Sequence, residues 1–465
     1  MNDPGLLPEA SSLDARFQPH GGVATTTELL ESARRTLPGG GIWTFSHRPA
    51  GFGSTLDAPA FLIDHAAGAY VWTNEGDRLL DVVLGSACIL VGHAHPDVVA
   101  AVTDQVARGS NFAHLNPPAV RLAERLVEVV PCAERVRFFN SGTEAWTIAL
   151  RTVRALTGRT RVLKFDGAFH GGNDATLFNT NYGASQEWLP YPEPTADSPG
   201  TSPSLAADVL VAPYDDLEST RAIARAHRDE LAAILVEPVL RGIASRPGFL
   251  EGLRALAHEL AIPLVFDEVI TGFRLAMGGA QEFYGVKPDL AVLGKGLASG
   301  FPIGVLAGTE AAMAPLDPAA PDGRRIVAEG GTLANPISAT AALATLEVLS
   351  RPGAHAHLHA WGGELAEVIR EAFARHGVAI QLTGVGPIVE FLVADHPTRG
   401  FREAMRTDMR PKAWLAAWLP EHHVFGGGGR YNVSLAHGDA ELEQMATAIR
   451  SAIGEGVAAG VIRPT

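Results

Sequence analysis

The chain has 465 residues and a formal net charge of −14, and 46% of its residues are apolar against 19% charged. This length favours two packed lobes, the apolar share argues against disorder, and the acidic balance argues against nucleic acid as a main partner. The two cysteines, Cys88 and Cys132, are too few for a disulfide framework and favour a reducing cytoplasm. We expect neither a secretory signal nor a membrane span, because the apolar runs fall short of about 20 residues.

Taken in chain order, the elements predict an α/β fold. An irregular N-terminal arm precedes a short hairpin over residues 69–83, which turns at Asn74-Glu75-Gly76. In the middle of the chain, β-branched runs alternate with helical patterns at 118–130 and 143–156, which is typical of a mostly parallel sheet covered by helices. A long helix over 336–349 follows, and a closing helix shows helical spacing of apolar residues from 442 to 453. The predicted strands of the sheet are 136–139, 161–165, 209–212, 233–236, 264–266, 290–293 and 304–307.

These elements suggest a large domain and a smaller one. We expect the large domain over residues 81–335, and a smaller α+β domain built from both chain ends, 1–80 and 336–465. Two segments, 179–203 and 315–324, are predicted to be long loops rich in turn-forming residues. Such loops are either lids over a pocket or surface insertions, and their composition does not decide between the two.

Lys295 follows the apolar run 290–293, at the carboxyl end of a predicted buried strand. A lysine there is costly unless its charge is neutralised or bonded, and forming an imine with an aldehyde removes that charge. Glycines on both sides, Gly294 and Gly296, allow a bulky group close to the backbone. A lysine that snorkels from the strand end is the alternative. A P-loop is excluded, because Asp289 stands where that motif needs a glycine.

Two acids, Asp267 and Glu268, end another predicted strand. Pyridoxal 5′-phosphate (PLP) needs one carboxylate against its pyridine nitrogen, because that ion pair keeps the nitrogen protonated and lets the ring accept electrons from the substrate. Asp267 suits this role, and Val269 is placed to pack on one face of the ring. Paired acids at a strand end also suit magnesium, so this motif is ambiguous by itself.

Residues 140–144 lie between a predicted strand and a predicted helix and contain Ser141, Gly142 and Thr143. Small residues that open a helix leave backbone N–H groups aimed outward, and hydroxyls add donors, so the segment can cradle a phosphate. Simple helix capping explains the same pattern. The segment Gly330-Gly331-Thr332 also precedes a predicted helix and offers a further phosphate contact.

The pair Phe169-His170 offers an aromatic ring that can stack on a planar cofactor, although such a pair more often serves ordinary packing. Histidines at 93 and 95, and at 355, 357 and 359, suggest metal binding at first sight. Residues two apart on a helix point away from each other, and no acid or cysteine set completes a site, so no metal is predicted.

Together, these segments resemble the class III aminotransferases of fold type I, and most closely their glutamate-1-semialdehyde 2,1-aminomutase subgroup. The resemblance covers most of the chain and implies a large domain with a mostly parallel seven-stranded sheet. Each motif is weak alone, but nine in the same order are specific. They are residues 37–40, 92–96, 139–145, 164–171, 237–239, 267–274, 294–296, 331–336 and 434–437.

The resemblance implies a role for each candidate residue. Lys295 would hold PLP as a Schiff base and move a proton between the substrate Cα and the cofactor. Asp267 would pair with the pyridine nitrogen. Val269 would cover one ring face, and Phe169, with His170 beside it, would stack on the other.

The remaining implied contacts concern the cofactor's phosphate. Ser141, Gly142 and Thr143 would bind the phosphate of their own subunit, and Thr332 would reach the phosphate of the neighbouring subunit. The active site would then be shared, and the protein would be a homodimer.

The sequence also departs from the aminomutase pattern. Positions at which relatives carry a side chain for the cofactor's phenolic oxygen are Leu240 and Gly242 here. Arg48 is displaced by two positions from the arginine that would meet the substrate carboxylate. The substrate is therefore not expected to be glutamate semialdehyde.

The leading hypothesis is an aminotransferase that takes an amino group from a small-molecule donor and passes it to a carbonyl acceptor, with pyridoxamine 5′-phosphate as the alternate cofactor form. Trp43 and Phe45 suggest a substrate bulkier than a plain dicarboxylate, such as an aromatic or β-amino acid or an amino-sugar aldehyde. Arg48, Arg241 and Arg430 are candidate carboxylate clamps. The alternatives are an aminomutase or epimerase that uses the same residues and, remotely, a non-catalytic regulator of the same fold.

Overall fold

The computed structural model describes residues 25–41, 61–180, 192–321, 324–398, 400–426 and 428–464. The chain divides into two compact units. The terminal unit comprises residues 1–96, 356–398 and 406–465, and the central unit comprises 97–355 and 399–405. The domain limits expected from the sequence, at 81 and 336, stay a prediction.

The structure contains strands of two to six residues and helices of four to 21 residues. The strands are β1 (Ile63–Ala67), β2 (Tyr70–Thr73), β3 (Arg78–Asp81), β4 (Arg135–Phe139), β5 (Arg161–Phe165), β6 (Val209–Ala212), β7 (Leu231–Val236), β8 (Val239–Leu240), β9 (Ile243–Ala244), β10 (Leu264–Glu268), β11 (Leu290–Gly294), β12 (Gly304–Gly308), β13 (Ile380–Leu382), β14 (Ile388–Val393), β15 (Val424–Phe425) and β16 (Arg430–Asn432). The helices are α1 (Thr26–Thr36), α2 (Leu84–Ala87), α3 (Pro96–Arg108), α4 (Pro117–Val129), α5 (Gly142–Thr157), α6 (Leu217–Ala226), α7 (Phe249–Glu259), α8 (Gly279–Tyr284), α9 (Glu310–Met313), α10 (Pro336–Leu349), α11 (Ala354–Ala374), α12 (Gly400–Ala404), α13 (Arg410–Glu421) and α14 (Asp439–Ala458).

The central unit is built on a seven-stranded sheet with the order β4-β12-β11-β10-β7-β5-β6. Its strands are parallel except β12, which runs antiparallel to both of its neighbours. All seven strands predicted from the sequence are found in it, so the predicted α/β fold with a mostly parallel sheet is confirmed. Its inner strands β10, β11 and β7 are buried along their whole length, because parallel strands are covered on both faces.

Helix α5 connects β4 to β5 and packs its apolar face on this sheet. It begins after Ser141, whose side chain accepts a hydrogen bond from the Glu144 N–H at 3.2 Å, and it ends at Gly158, which has a φ of 68°. Such a left-handed residue ends a helix without strain when it is glycine. The buried face contains Trp146 and Val153, which belong to one apolar cluster with residues of β10, β11 and β12.

The terminal unit contains two smaller sheets. One has the order β1-β2-β3-β15 and the other β13-β14-β16, so strands from both chain ends contribute. The hairpin predicted over 69–83 is β2 and β3, and the predicted closing helix is α14. Within the described part of the chain, we find no helix that is both long and apolar enough to cross a bilayer. The cytoplasmic location stays a prediction.

Candidate active site

Asp267 and Lys295 lie at the carboxyl ends of neighbouring strands. Strands β10 and β11 are parallel, with Asp267 opposite Val292 and Glu268 opposite Leu293, and Lys295 follows β11 directly. Parallel strands end at the same edge of the sheet, and ligands of open α/β sheets bind outside that edge. Lys295 has a left-handed φ of 44°, an uncommon conformation for a residue with a side chain. The two residues predicted to carry the chemistry therefore share one edge of the central unit.

Asp267 is held by hydrogen bonds on both of its carboxyl oxygens. Oδ2 accepts from the indole Nε1–H of Trp146 at 2.7 Å and lies 2.8 Å from Nδ1 of His170, while Oδ1 accepts from the Val269 N–H at 3.1 Å. Burial raises the pKa of Asp267 to about 7, against the lowering effects of the Val269 N–H, the Lys295 charge and the Trp146 N–H. The side chain is therefore fixed in orientation and poised between its two protonation states near neutral pH.

His170 is a neutral partner of this carboxyl group. The ring is fully buried, and burial together with the Lys164 charge lowers its pKa to about 3 against the opposing effect of Glu237. A neutral ring bonded to Asp267 through Nδ1 carries its proton there, which leaves Nε2 as an acceptor. No described residue donates to Nε2, although the atom is buried. The ring also packs against Trp146, with 4.5 Å between the ring centroids.

The start of α5 lies against the end of β10. A Cβ atom at Gly142 would lie 3.1 Å from Cγ2 of Val269, so a larger residue would push against that side chain. Ser141 caps the helix, so the capping alternative drawn from the sequence is present here. The first turn of a helix has N–H groups without intrahelical partners and attracts anions. Phosphate binding by residues 141–143 fits this arrangement and stays a prediction.

The next contact of the α5 start is with the chain after β5. The Gly172 N–H donates to Oγ1 of Thr143 at 3.1 Å. Gly171 has a φ of 83°, and a Cβ atom there would lie 2.8 Å from Cα of Thr143. Only glycine fits this close approach of two backbones. The loop that carries Phe169 is therefore packed directly against residues 141–143, which are predicted to bind the phosphate.

Phe169 lies in a loop that a buried acid and a buried lysine hold in place. The Phe169 N–H donates to Oε1 of Glu237 at 2.7 Å, while 38% of the Phe169 surface remains exposed. The ammonium group of Lys164 is fully buried and donates to the carbonyls of Ala168 and Thr176 at 2.8 and 2.9 Å. Burial lowers the pKa of Lys164 to about 8. The backbone of Phe169 is fixed while its ring stays accessible, as stacking on a cofactor requires.

Thr332 and Arg241 have partners within the central unit. Oγ1 of Thr332 donates to Oδ1 of Asn140 at 3.0 Å, and Thr332 is exposed. The guanidinium of Arg241 donates to the carbonyls of Gly167 at 2.9 Å and Thr180 at 3.1 Å. Thr332 thus neighbours the segment 140–143, and Arg241 neighbours the segment 164–171. Their predicted roles, towards a neighbouring subunit and a substrate carboxylate, stay predictions.

The other predicted substrate residues lie elsewhere in the chain. Arg430 begins β16 of the terminal unit, and Trp43 and Arg48 lie outside the described residues. Leu240 is buried in β8, and Gly242 has a φ of 86° in the two-residue turn between β8 and β9. Positive φ at both turn residues is the pattern of a type I′ hairpin, which explains a glycine at this position.

Two residues of the site were not predicted from the sequence. Trp146 belongs to the buried face of α5, and its indole N–H reaches Asp267. Glu237 begins the motif 237–239, and its carboxylate holds the backbone of Phe169. A tryptophan on a buried face needs a partner for its N–H, and this was the available signal for Trp146. Among the described residues, no three potential metal ligands lie together.

Comparison with known proteins identifies the family to which this fold belongs. Residues 54–408 match the family model described as Aminotransferase class-III. An omega-transaminase from Sphaerobacter thermophilus is 32% identical, with a TM-score of 0.86 over 94% of this chain and 99% of its own. A β-phenylalanine aminotransferase from Variovorax paradoxus is 30% identical, with a TM-score of 0.81 over 93% and 94%. A glutamate-1-semialdehyde aminomutase from Pseudomonas aeruginosa PAO1, 24% identical with a TM-score of 0.80 over 92% and 94%, shares the fold.

The fold is that of the fold type I transferases. The family model spans most of the chain, and the chain belongs to the class-III aminotransferases. The resemblance recognised from the sequence is thereby confirmed, and the protein is an enzyme of amino-group transfer whose family uses PLP.

Proposed function

We propose that this enzyme transfers an amino group from an aromatic amine or β-amino acid donor to a carbonyl acceptor, with Lys295 and Asp267 as its central residues. The observation that carries the proposal is the pairing of β10 and β11, which delivers a buried carboxylate and a lysine to the same sheet edge. The hydrogen bonds that Asp267 accepts from Trp146, His170 and the Val269 N–H fix the orientation of that carboxylate.

The residues present fit PLP. Asp267 is a buried acid, and such a group gains a partner when it meets a protonated pyridine nitrogen. The start of α5 at Ser141 and Thr143 suits a phosphate, and the exposed ring of Phe169 suits a flat aromatic ring. Val269 packs against Gly142 and suits the opposite ring face. When bound, PLP supplies an electron sink for the substrate's Cα and stores the amino group between the two half-reactions.

The chain's own residues supply binding and proton transfer. Asp267 would hold the proton of the pyridine nitrogen by charge, and His170 and Trp146 hold Asp267. In the first half-reaction Lys295 would take the proton from the substrate Cα and deliver it to the cofactor, and in the second it would move a proton in the opposite direction, because an uncharged amine can act as a general base and then as an acid.

The substrate class is proposed from several features. Among the similar structures are an omega-transaminase and a β-phenylalanine aminotransferase, each at least 30% identical to this chain. The sequence also offers two bulky residues, Trp43 and Phe45, close in the chain to the candidate clamp Arg48. Arg241 adjoins the segment that carries Phe169 and is the candidate for a substrate carboxylate.

A panel of amino donors tests this proposal. Purified enzyme with PLP is mixed with racemic β-phenylalanine, 1-phenylethylamine, glutamate or aspartate, with pyruvate or 2-oxoglutarate as acceptor, and oxo products are measured by chromatography. We expect kcat/KM for an aromatic donor to exceed that for the dicarboxylates by at least about 10-fold, because one buried aromatic group contributes more than about 1.4 kcal/mol of binding. Higher activity with glutamate would refute the substrate class. Isomerisation of one compound without an acceptor would refute the transaminase proposal.

We also propose that the enzyme is a homodimer. Exposed apolar side chains concentrate on α3, α4 and the loop between them, at Val99, Val106, Phe112, Leu115, Val120 and Val127. Asn111 and Asn116 in this loop donate to the carbonyls of Gly331 and Ala334, on either side of Thr332. Contiguous apolar surface favours burial by a partner, and a second copy here would bring Thr332 to the interface.

Leu115→Glu tests the dimer, since this side chain is 75% exposed and we expect its replacement to leave the fold of its own subunit intact. We expect the wild type to sediment as a dimer and Leu115→Glu to shift towards monomer at micromolar concentration, because a charge would be buried without a partner. The matched control is Phe283→Glu on α8, a position 41% exposed outside the apolar surface. A monomeric wild type, or equal dimerisation of all three proteins, would contradict the proposal.

A further inference from the structure

We propose that Trp146 is a positioning residue that orients the carboxyl group of Asp267 and stabilises its ionised form for the pyridine nitrogen of the cofactor. This inference rests on the proposed function. It assigns a specific task to a residue that otherwise belongs to the apolar face of α5.

The geometry of the three side chains supports this assignment. Trp146 is 1% exposed, and its only polar side-chain atom, Nε1, donates to Oδ2 of Asp267 at 2.7 Å. His170 Nδ1 meets the same oxygen at 2.8 Å, and the two donor rings pack on each other. Two donors on one oxygen define the rotation of the carboxyl plane. Oδ1, which has the Val269 N–H at 3.1 Å, keeps its second lone pair for a further donor.

The charges around Asp267 show why such a donor is needed. Burial disfavours the ionised carboxylate of Asp267. The Asp267 charge, together with burial, in turn raises the pKa of Glu237. The positive charge of Lys295 favours the ionised form of Asp267. In the proposed chemistry, however, the amine of Lys295 reacts, so this charge is not always present. His170 is neutral and contributes only a hydrogen bond. The Trp146 N–H therefore stabilises the carboxylate without carrying a charge that substrate or pH can change.

A purely structural role is the competing explanation. A buried tryptophan fills space, and its removal would weaken folding wherever its N–H pointed. A positioning role predicts more than this. The effect of losing the N–H should depend on whether the cofactor presents a ring nitrogen to Asp267.

The test measures the equilibrium binding of PLP and of a deaza analogue, in which a C–H group replaces the pyridine nitrogen, to cofactor-free protein. Trp146→Phe removes the N–H and keeps an aromatic ring. We expect its dissociation constant for PLP to rise roughly 10-fold, since a hydrogen bond to a charged group is lost, and its dissociation constant for the deaza analogue to change less than about 2-fold. We also expect kcat to fall about 10-fold with KM for the amino donor little changed.

Trp418→Phe is the matched control, because Trp418 is also buried and also donates its N–H to a carboxylate, Oε2 of Glu455 at 2.9 Å, within the terminal unit. Its binding of both ligands should equal that of the wild type. If Trp146→Phe does not fold, benzothienylalanine at position 146 replaces the N–H by sulfur at nearly constant volume.

Each outcome supports or overturns a specific claim. An equal loss of affinity for PLP and the deaza analogue would show a structural role and overturn the inference, as would unchanged binding of PLP. A wild-type protein that binds PLP no more tightly than the deaza analogue would overturn the role of Asp267 and the proposed function, whatever Trp146 does.

Discussion

Lys295→Ala is expected to reduce transamination by on the order of 10²–10⁴-fold, since a positioned group that acts as general base and acid contributes about this much. The variant should still bind PLP, because the predicted phosphate cradle and Asp267 remain. Turnover is measured with the best donor of the panel. Activity within about 10-fold of the wild type would contradict the assignment of Lys295.

The covalent attachment is tested separately. Borohydride reduction of the enzyme with PLP should fix the cofactor on the peptide that contains Lys295, detected by mass spectrometry. The chain offers clear controls, since its other lysines are Lys164, Lys287 and Lys412. Lys164 and Lys412 are buried, and Lys287 is exposed, so Lys287→Ala should keep the label and full activity.

Asp267→Asn has the second largest expected effect. The amide cannot hold a positive charge on the pyridine nitrogen, so the electron sink is weakened and kcat should fall on the order of 10²–10³-fold. The affinity for PLP should fall as well. Stopped-flow measurement of the first half-reaction isolates the affected step, and a variant with wild-type kcat would contradict the role of Asp267.

The neighbouring acid provides a matched control. Glu268 is fully buried, and its carboxylate accepts from Oγ1 of Thr271 and from the N–H groups of Ala280 and Gln281 at the start of α8. Glu268→Gln should therefore lower the free energy of unfolding, by about 1–3 kcal/mol for a disrupted buried network, and leave kcat of the folded enzyme near the wild-type value. Comparison of Asp267→Asn with Glu268→Gln therefore distinguishes a loss of kcat from a loss of folding stability at adjacent positions.

The raised pKa of Asp267 predicts that the stability of the folded protein depends on pH. Burial raises this pKa from 3.8 to about 7 in the cofactor-free protein. The folded chain then binds the proton more tightly than the unfolded chain, so this contribution to stability is complete below the unfolded pKa and is lost as the pH rises through the folded pKa. An amide at this position does not ionise, so the melting temperature of cofactor-free Asp267→Asn should rise relative to wild type between about pH 4 and about pH 7. A difference that stays constant with pH would contradict the raised pKa.

Much of the fold followed from local patterns in the sequence. The seven strands of the large sheet were recognisable as short β-branched runs because parallel strands are apolar on both faces. The start of α5 was recognisable because Ser141 has the chemistry of a helix cap, and its end because Gly158 follows the apolar face. Lys295 and Asp267 are predicted because charged residues at the ends of buried strands need a chemical reason, and because both lie within motifs of the class III resemblance.

The sequence by itself therefore determined the α/β class and the family resemblance, and it predicts the two central residues, because these depend on residue type, spacing and order along the chain. Only the tertiary structure decided that Trp146 and His170 bond one oxygen of Asp267, and that Glu237 holds Phe169. These residues lie far apart in sequence, and strand pairing and helix packing bring them together. Hydrogen-bond partners depend on distances of a few tenths of an ångström, which spacing along the chain does not define.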